Sequence, residues 1–597
     1  MRESTTPPLV PTSTSGTLAD LVDRGAQRHP ERVVFSIKDS GDWRGVTSAE
    51  FRQQVRRLAK GFVAAGVEVG DRVAIMSRTR YEWTLLDFAL WTAGAVPVPV
   101  YETSSAAQLT WILEDTGARA VVVEGEGHSA TVSRVRDDLT ALQHVWSIEG
   151  GGLDDLFAAG EEIDDTTLDA RRDGLDRSSL ATVIYTSGTT GSPKGCELTH
   201  GNFLGLSENI VVALDHIVGP DDASCLLFLP LAHVFARLIQ VVAVDAGMRL
   251  GHSPDIANLV DDLSSFRPTF LLAVPRVFEK VYNSAEQKAR AGGKAPIFIR
   301  AVRTAIAYSR GLDEPGGPSL RVRVAHAVMD RLVYRTLRER LGGELRHAVS
   351  GGAALGERLG HFFRGIGITV YEGYGLTETT APVSVGLPGA LRMGAVGPAL
   401  PGCGIRIDDE GEVQLSGVGI FRGYRGNDEA TREAFTDDGW FRTGDLGELD
   451  EDGFLFITGR RKEIIVTAGG KNVSPSGLED SVRAHPLVSQ AVVVGDARPF
   501  IGALITIDPD MVGPWGEAHG VENLTVESAV THPKVREHLQ LAIDRANESV
   551  SRAESIRNFR ILGEDFTEAG GHLTPSMKLR RPQIMRDFEG EVEALYS

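Results

Sequence analysis

Cysteine is the scarcest chemistry in this chain. Its 597 residues include three, Cys196, Cys225 and Cys403. They are scattered, with no Cys-x-x-Cys spacing, which excludes a disulfide-stapled scaffold and a cysteine metal site and leaves reduced structural thiols. Positive charge is also short. With 62 Lys and Arg against 81 Asp and Glu, the net charge is −19, which excludes a nonspecific polyanion binder presenting a basic face. No nucleic-acid partner is expected, and any nucleotide must be held by a local site. No run reaches about 18 consecutive apolar residues, so no membrane-spanning helix is predicted. Residues 1–16, rich in Ser, Thr and Pro, lack the basic-then-apolar order of a signal peptide and read as a disordered lead-in. The expected location is the cytoplasm, with contact at the inner face of the membrane no more than peripheral.

What is present suits a soluble globular protein. Hydrophobic residues at 42% are enough to bury a sizeable core, and the length calls for a large domain plus a smaller one. Short β-branched runs (72–77, 95–101, 119–124, 181–185, 225–229 and 269–274) alternate with stretches of helical spacing such as 49–66 and 81–93, a pattern of α/β layers. From Val277 to Leu341 the pattern is mostly helical, broken at 311–318 by Gly and Pro. That section is either a plain helical layer or the roof of a pocket. After about residue 400 the texture changes to short strands, with a hairpin turn at Asp409-Glu410-Gly411. The expected fold is α/β: a large N-terminal domain of layered α/β subdomains with a β-rich subdomain (17–458), a basic segment that marks the domain boundary (459–463) and a small α+β C-terminal domain (464–597), which the resemblance given below implies is mobile about that segment as a hinge.

The most informative stretch is Tyr185-Thr186-Ser187-Gly188-Thr189-Thr190-Gly191-Ser192-Pro193-Lys194-Gly195. It follows a strand and combines glycines that let backbone N–H groups approach phosphate oxygens, hydroxyls that add donors, and a lysine that adds charge. Polyphosphate binding explains every part of it, whereas a flexible surface turn explains only the glycines and hydroxyls. It is not a Walker A loop, because Pro193 stands directly before Lys194.

With this loop the chain resembles the adenylate-forming superfamily of acyl-CoA synthetases, luciferases and peptide-synthetase adenylation domains. The likeness continues in order through Leu229-Pro230-Leu231-Ala232-His233, Ser350-Gly351-Gly352-Ala353-Ala354, Tyr374-Gly375-Leu376-Thr377-Glu378, Arg442-Thr443-Gly444-Asp445, Gly459-Arg460-Arg461-Lys462-Glu463 and Leu573-Thr574-Pro575-Ser576-Met577-Lys578. It covers nearly the whole chain. Met577 departs from the Gly that many members have before the lysine.

The resemblance implies a two-step ligase using ATP, CoA and Mg²⁺. Thr186, Ser187, Gly188, Thr189, Thr190, Gly191 and Lys194 would cradle phosphates, Thr377 would touch the α-phosphate, and Glu378 would be the Mg²⁺ ligand. Tyr374 would stack on adenine beside Gly375, with the backbone of Gly352, Ala353 and Ala354 as the other wall. Asp445 and Arg460 would hold the ribose, and His233 would lie near the acyl carboxylate. Lys578 would bridge carboxylate and α-phosphate during adenylation. The small domain would then turn about Lys462 and bring Gly469, Gly470 and Lys471 to the CoA channel.

Segments 274–283 and 98–105 are similar to long-chain fatty acid–CoA ligases, which implies a fatty acid substrate. A fatty acyl-AMP ligase loading a separate carrier protein shares the first step and differs in its acceptor. Only 19 residues follow Lys578, so no carrier domain is expected downstream. A noncatalytic nucleotide sensor would show damage at Lys194, Glu378, Asp445, Arg460 or Lys578, and all five are present.

Overall fold

A computed structural model describes residues 2–186, 193–574 and 578–597. The centre of the large domain is an eight-stranded sheet. Five of its neighbouring strands, Arg249–His252, Ser224–Leu227, Phe270–Ala273, His347–Ser350 and Thr369–Leu376, run parallel. Their side chains are mostly buried on both faces, as a parallel sheet covered by helices requires. Parallel strands all end on one side of a sheet, so the loops leaving Leu227, Ala273, Ser350 and Leu376 open together there. That is where open α/β sheets carry their ligands.

A second, four-stranded parallel sheet contains Val96–Val100, Arg72–Met76, Ala120–Val123 and His144–Ser147 in that order. Pro97 and Pro99 lie in its edge strand, the position that tolerates residues unable to donate to the ladder. The expected strand 181–185 runs Leu180–Thr186 and pairs antiparallel with Lys194–Thr199. Trp91 ties this hairpin to the helix Tyr81–Ala93 by donating from Nε1 to the Ala181 carbonyl at 2.8 Å.

The β-rich subdomain is a five-stranded antiparallel sheet containing Cys403–Ile407, Glu412–Gly417, Phe441–Leu449 and Leu455–Arg460. Gly411, with φ 85°, makes the tight turn between the first two. The fifth strand corrects the reading of the lead-in as disordered. Glu3–Thr6 pairs antiparallel with Cys403–Arg406, and Thr6 donates its hydroxyl to the Ala399 carbonyl at 2.8 Å. These four residues bury little surface of their own. The open edge of the sheet, with unpaired backbone groups, is what orders them.

The smaller C-terminal domain has its own apolar centres. The strands Val488–Val494, Ile501–Ile507 and Ile556–Ile561 form its sheet, and the clusters packed on either side draw only on residues from Ile465 onward. It meets the large domain through polar pairs. Arg276 binds Asp508 at 2.5 Å, Lys280 binds Asp510 at 2.7 Å, and Thr103 donates to Glu568 at 2.5 Å. The two segments similar to long-chain ligases, 98–105 and 274–283, thus carry the docking contacts of the small domain. Of the helical section after Val277, the inner faces are close-packed ring on ring, as in Tyr282 against Phe298 and Phe362. Among the described residues, no helix is long and apolar enough to cross a membrane.

Candidate active site

The site is built at the carboxyl ends of the parallel strands. Ser350 is followed by Gly351 to Ala354, with Gly352 at φ 87° and residues 352–354 exposed. The neighbouring strand carries Tyr374 and Gly375. A Cβ on Gly375 would lie 2.0 Å from the Ala381 carbonyl oxygen, so only glycine permits this close approach. Thr377 and Glu378 form one 3₁₀ turn, after which Thr380 and Ala381 take φ 57° and 82°. Two successive non-glycine residues in the left-handed region store strain beside Glu378.

Asp445 is the centre of one cluster. Its Oδ2 accepts from the Tyr374 hydroxyl at 2.6 Å and its Oδ1 meets Arg460 Nε at 2.7 Å. The antiparallel pairing of Asp445 with Arg460 makes this contact possible. Burial, reinforced by the Asp445 charge, pushes the Tyr374 phenol well above its usual range. Burial works against the Arg460 charge, but Asp445 and Glu463 outweigh it and hold the guanidinium more firmly charged.

Glu378 is the centre of a second cluster. Its Oε1 accepts from the Tyr424 hydroxyl at 2.9 Å, and the Lys194 ammonium lies 4.7 Å from the centre of the Tyr424 ring. Backbone pairing of Tyr424 with Cys196 sets Tyr424 beside the strand that begins at Lys194. Thr186 and Lys194 form the last pair of the hairpin; Ser187, Gly188, Thr189, Thr190 and Gly191 lie outside the described residues. Among the described residues, no three His, Cys, Asp or Glu side chains gather into a metal cage. A single carboxylate suits a hard cation that arrives on phosphate oxygens and keeps its waters.

Lys578 reaches this cleft from the small domain. Thr574 and Lys578 clasp each other, the Lys578 N–H donating to Thr574 Oγ1 at 3.0 Å and the Thr574 N–H to the Lys578 carbonyl at 2.8 Å. The side chain keeps solvent contact while protein surrounds its ammonium, as expected in an open cleft. Burial and the nearby Arg460 lower its pKa, whereas Asp445 and Glu378 oppose that shift. His233 caps the helix Val234–Ala246, its Nδ1 accepting from the Phe235 N–H at 3.2 Å. Burial, then Lys578, lowers its pKa to about 4, so it is neutral at pH 7.

Lys462 is exposed in the turn Arg461–Glu463. Its neighbours are tied in opposite directions: Arg461 to Glu410 of the large domain at 2.8 Å, and Glu463 to Arg581 of the small one at 3.7 Å. Gly469, Gly470 and Lys471 sit on an exposed turn of the small domain, where Lys471 pairs with Glu554 at 3.2 Å. They are not part of the two clusters.

Sequence reasoning missed Tyr424, Arg581 and a buried network behind His233. Arg237, one turn into the same helix, binds Asp87 at 2.5 Å and Thr182 at 2.8 Å, while Gln240 donates to Asp87 at 3.0 Å. Burial pushes Asp87 up and Arg237 down, so each depends on its partners. The network fixes the His233 helix to the strand leading into the phosphate loop. Its signal in the sequence was Asp87 and Arg237, each a charge flanked by apolar residues in a largely apolar helix.

Two domains whose polar side chains, Tyr374, Asp445, Arg460 and Glu378 from the large one and Lys578 from the small one, gather at one cleft fit a nucleotide-handling enzyme. The sequence profile of AMP-binding enzymes matches residues 22–425, and that of the AMP-binding enzyme C-terminal domain matches 462–597. The chain belongs to the AMP-binding enzyme family. It is 49% identical over 601 residues to the long-chain-fatty-acid–CoA ligase FadD15 of Mycobacterium bovis, covering 100% of both chains. It is 29% identical to the long-chain-fatty-acid–CoA ligase ACSBG2 of Xenopus laevis, covering 97% of this chain and 84% of that one. Among solved structures, an anthranilate CoA ligase bound to anthranoyl-AMP matches with TM-score 0.71 at 19% identity, covering 98% and 99% of the two chains. That likeness is one of fold.

Proposed function

We propose that the chain is an ATP-dependent long-chain fatty acid–CoA ligase working in two half-reactions. The observation that carries this reading is the meeting of Tyr374, Asp445, Arg460 and Glu378 with Lys578 across the domain cleft. The acyl class follows the names of relatives matched along the full chain.

In the first half-reaction a carboxylate oxygen attacks the α-phosphorus of ATP and pyrophosphate leaves. A carboxylate is a poor nucleophile, so positioning and charge stabilisation carry the step. Thr186, Ser187, Gly188, Thr189, Thr190, Gly191 and Lys194 hold the departing phosphates, and Thr377 donates to the α-phosphate. Tyr374 and the 352–354 backbone enclose adenine, and Asp445 and Arg460 take the ribose. Asp445 exchanges its Tyr374 and Arg460 partners for sugar hydroxyls without losing hydrogen bonds. His233, neutral, orients the acid, and Lys578 spans carboxylate and phosphate. Glu378 would hold Mg²⁺, which supplies charge neutralisation on the phosphates.

In the second half-reaction the CoA thiol loses its proton, its sulfur attacks the acyl carbonyl and AMP departs. Lys578 blocks that approach, so the small domain, residues 464–597, swings about Lys462 within the hinge 459–463. The polar docking pairs can exchange for water, and the swing brings Gly469, Gly470 and Lys471 to the pantetheine path. A long-chain acid partitions into membranes, which supports an enzyme that works from the cytoplasm and contacts the membrane peripherally.

Palmitate, ATP and Mg²⁺ without thiol should yield acyl-AMP and pyrophosphate, and added CoA should then convert the pool to palmitoyl-CoA. Conversion only on a carrier protein's phosphopantetheine would assign the acceptor differently. Failure to form acyl-AMP would reject the reading.

A further inference from the structure

The helix Leu320–Met329 continues through the π-helical turn Asp330–Tyr334 into the helix Arg335–Arg340. Leu320, Val324, Val328 and Leu332 recur every fourth residue, the spacing that sets side chains along one side of a helix. Their exposures are 75%, 59%, 49% and 59%. The opposite side is anchored in the protein through Met329, Tyr334 and Leu337, all buried. A row of four exposed aliphatics on an ordered helix is therefore an unpartnered apolar face.

Its charge identifies the partner. Residues 294–340 hold ten basic and four acidic side chains, a net +6, in a chain whose other residues sum to −25. Three of the four acids are already paired: Asp313 with Arg364, Asp330 with Arg338, and Glu339 with Arg335. Arg321, Arg323 and Arg331, beside the apolar row, are exposed and have no acidic partner among the described residues. An aliphatic row bordered by free arginines is the pattern of a helix lying in a bilayer interface, with guanidinium groups at the headgroups and apolar side chains beneath them. The remaining chain is strongly negative in sum and is repelled by the same surface, which favours an approach with this face leading.

We infer that the face of residues 320–335 docks the enzyme on anionic lipid bilayers. This rests on the ligase reading above: each methylene of a long-chain acid favours leaving water, so the substrate collects in membranes, and docking places the enzyme at that pool.

The test is co-sedimentation of the full chain with vesicles of equal phosphatidylglycerol and phosphatidylcholine, against vesicles of phosphatidylcholine alone. Binding is expected to the first and to be weakened by salt. The triple variant Arg321→Gln, Arg323→Gln, Arg331→Gln should bind about 100-fold more weakly, at about fivefold per charge. The double variant Leu320→Asp, Leu332→Asp should lose binding. Both sets should keep palmitoyl-CoA formation from palmitate delivered on cyclodextrin, because these exposed residues lie outside the active-site clusters. No binding of the unaltered chain, binding indifferent to both variants, or self-association that the double variant abolishes would each overturn the inference. Vesicle binding by a chain that makes no palmitoyl-CoA would instead reject the ligase reading and leave the surface standing.

Discussion

Replacing Lys578 by alanine should separate the two half-reactions. The ammonium is a single positive charge in a cleft that also holds Arg460, Asp445 and Glu378, and the clasp with Thr574 fixes the base of its side chain. Removing one preorganised donor from a charge-developing centre costs about 10²–10³ in rate, and adenylation should fall by that factor. Thioester formation from supplied acyl-AMP should change little, since the swing carries Lys578 away before CoA attacks. Lys578 stands outside the apolar clusters of the small domain, so alanine leaves the core intact and the thermal midpoint should not move. Pyrophosphate release measures the first half-reaction and acyl-CoA formation from synthetic acyl-AMP the second. A lowered ammonium pKa adds a pH signature: the charge is present at low pH and is lost as pH rises, so adenylation should decline at a lower alkaline pH than an ordinary lysine dictates. Equal losses in both half-reactions would refute the division of labour, as would unaltered adenylation.

Other perturbations test other parts of the site. Tyr424→Phe removes the hydroxyl on Glu378 but keeps the ring near Lys194; hydrogen bonds to charged groups contribute about 1.5–3 kcal/mol, so MgATP binding measured calorimetrically should weaken by roughly tenfold or more, and unchanged affinity would remove Tyr424 from the site. Lys462→Pro restricts φ at the turn whose flanks are tied to different domains, and should slow thioester formation from acyl-AMP more than adenylation. Burial lowers the pKa of both His200 and His252 to about 4. Their folded pKa values lie below the ordinary 6.5, so the unfolded chain binds protons first as pH falls; each should cost about 2 kcal/mol of stability at pH 5. Denaturant titrations at pH 7 and pH 5 read that loss, and a flat profile would contradict it.

Much of this architecture was legible because its signals are local. Tyr81–Ala93 forms the helix its spacing predicts, and the strand before the phosphate loop extends the predicted one by a residue at each end. The ordered motifs named most of the groups now seen around Asp445 and Glu378. What escaped depends on distant partners. Glu3–Thr6 has no apolar alternation and becomes a strand because Cys403–Arg406 presents an open edge. Tyr424 reaches Glu378 through pairing of its strand with the phosphate-loop hairpin. The opposed tethers of Arg461 and Glu463 likewise join a hairpin turn and the start of a helix far away in sequence. The acyl channel was least legible, since the helical section offered for it is packed ring on ring.

The central claim is that this cleft makes acyl-CoA from long-chain acids. The direct measurement is incubation of the purified chain with ATP, Mg²⁺, CoA and an equimolar series of acids from acetate to stearate, with products identified by mass spectrometry and AMP quantified. The account predicts long-chain acyl-CoA with one AMP per thioester. Thioesters confined to the shortest acids, acyl-AMP accumulating without thioester, or no AMP at all would contradict it.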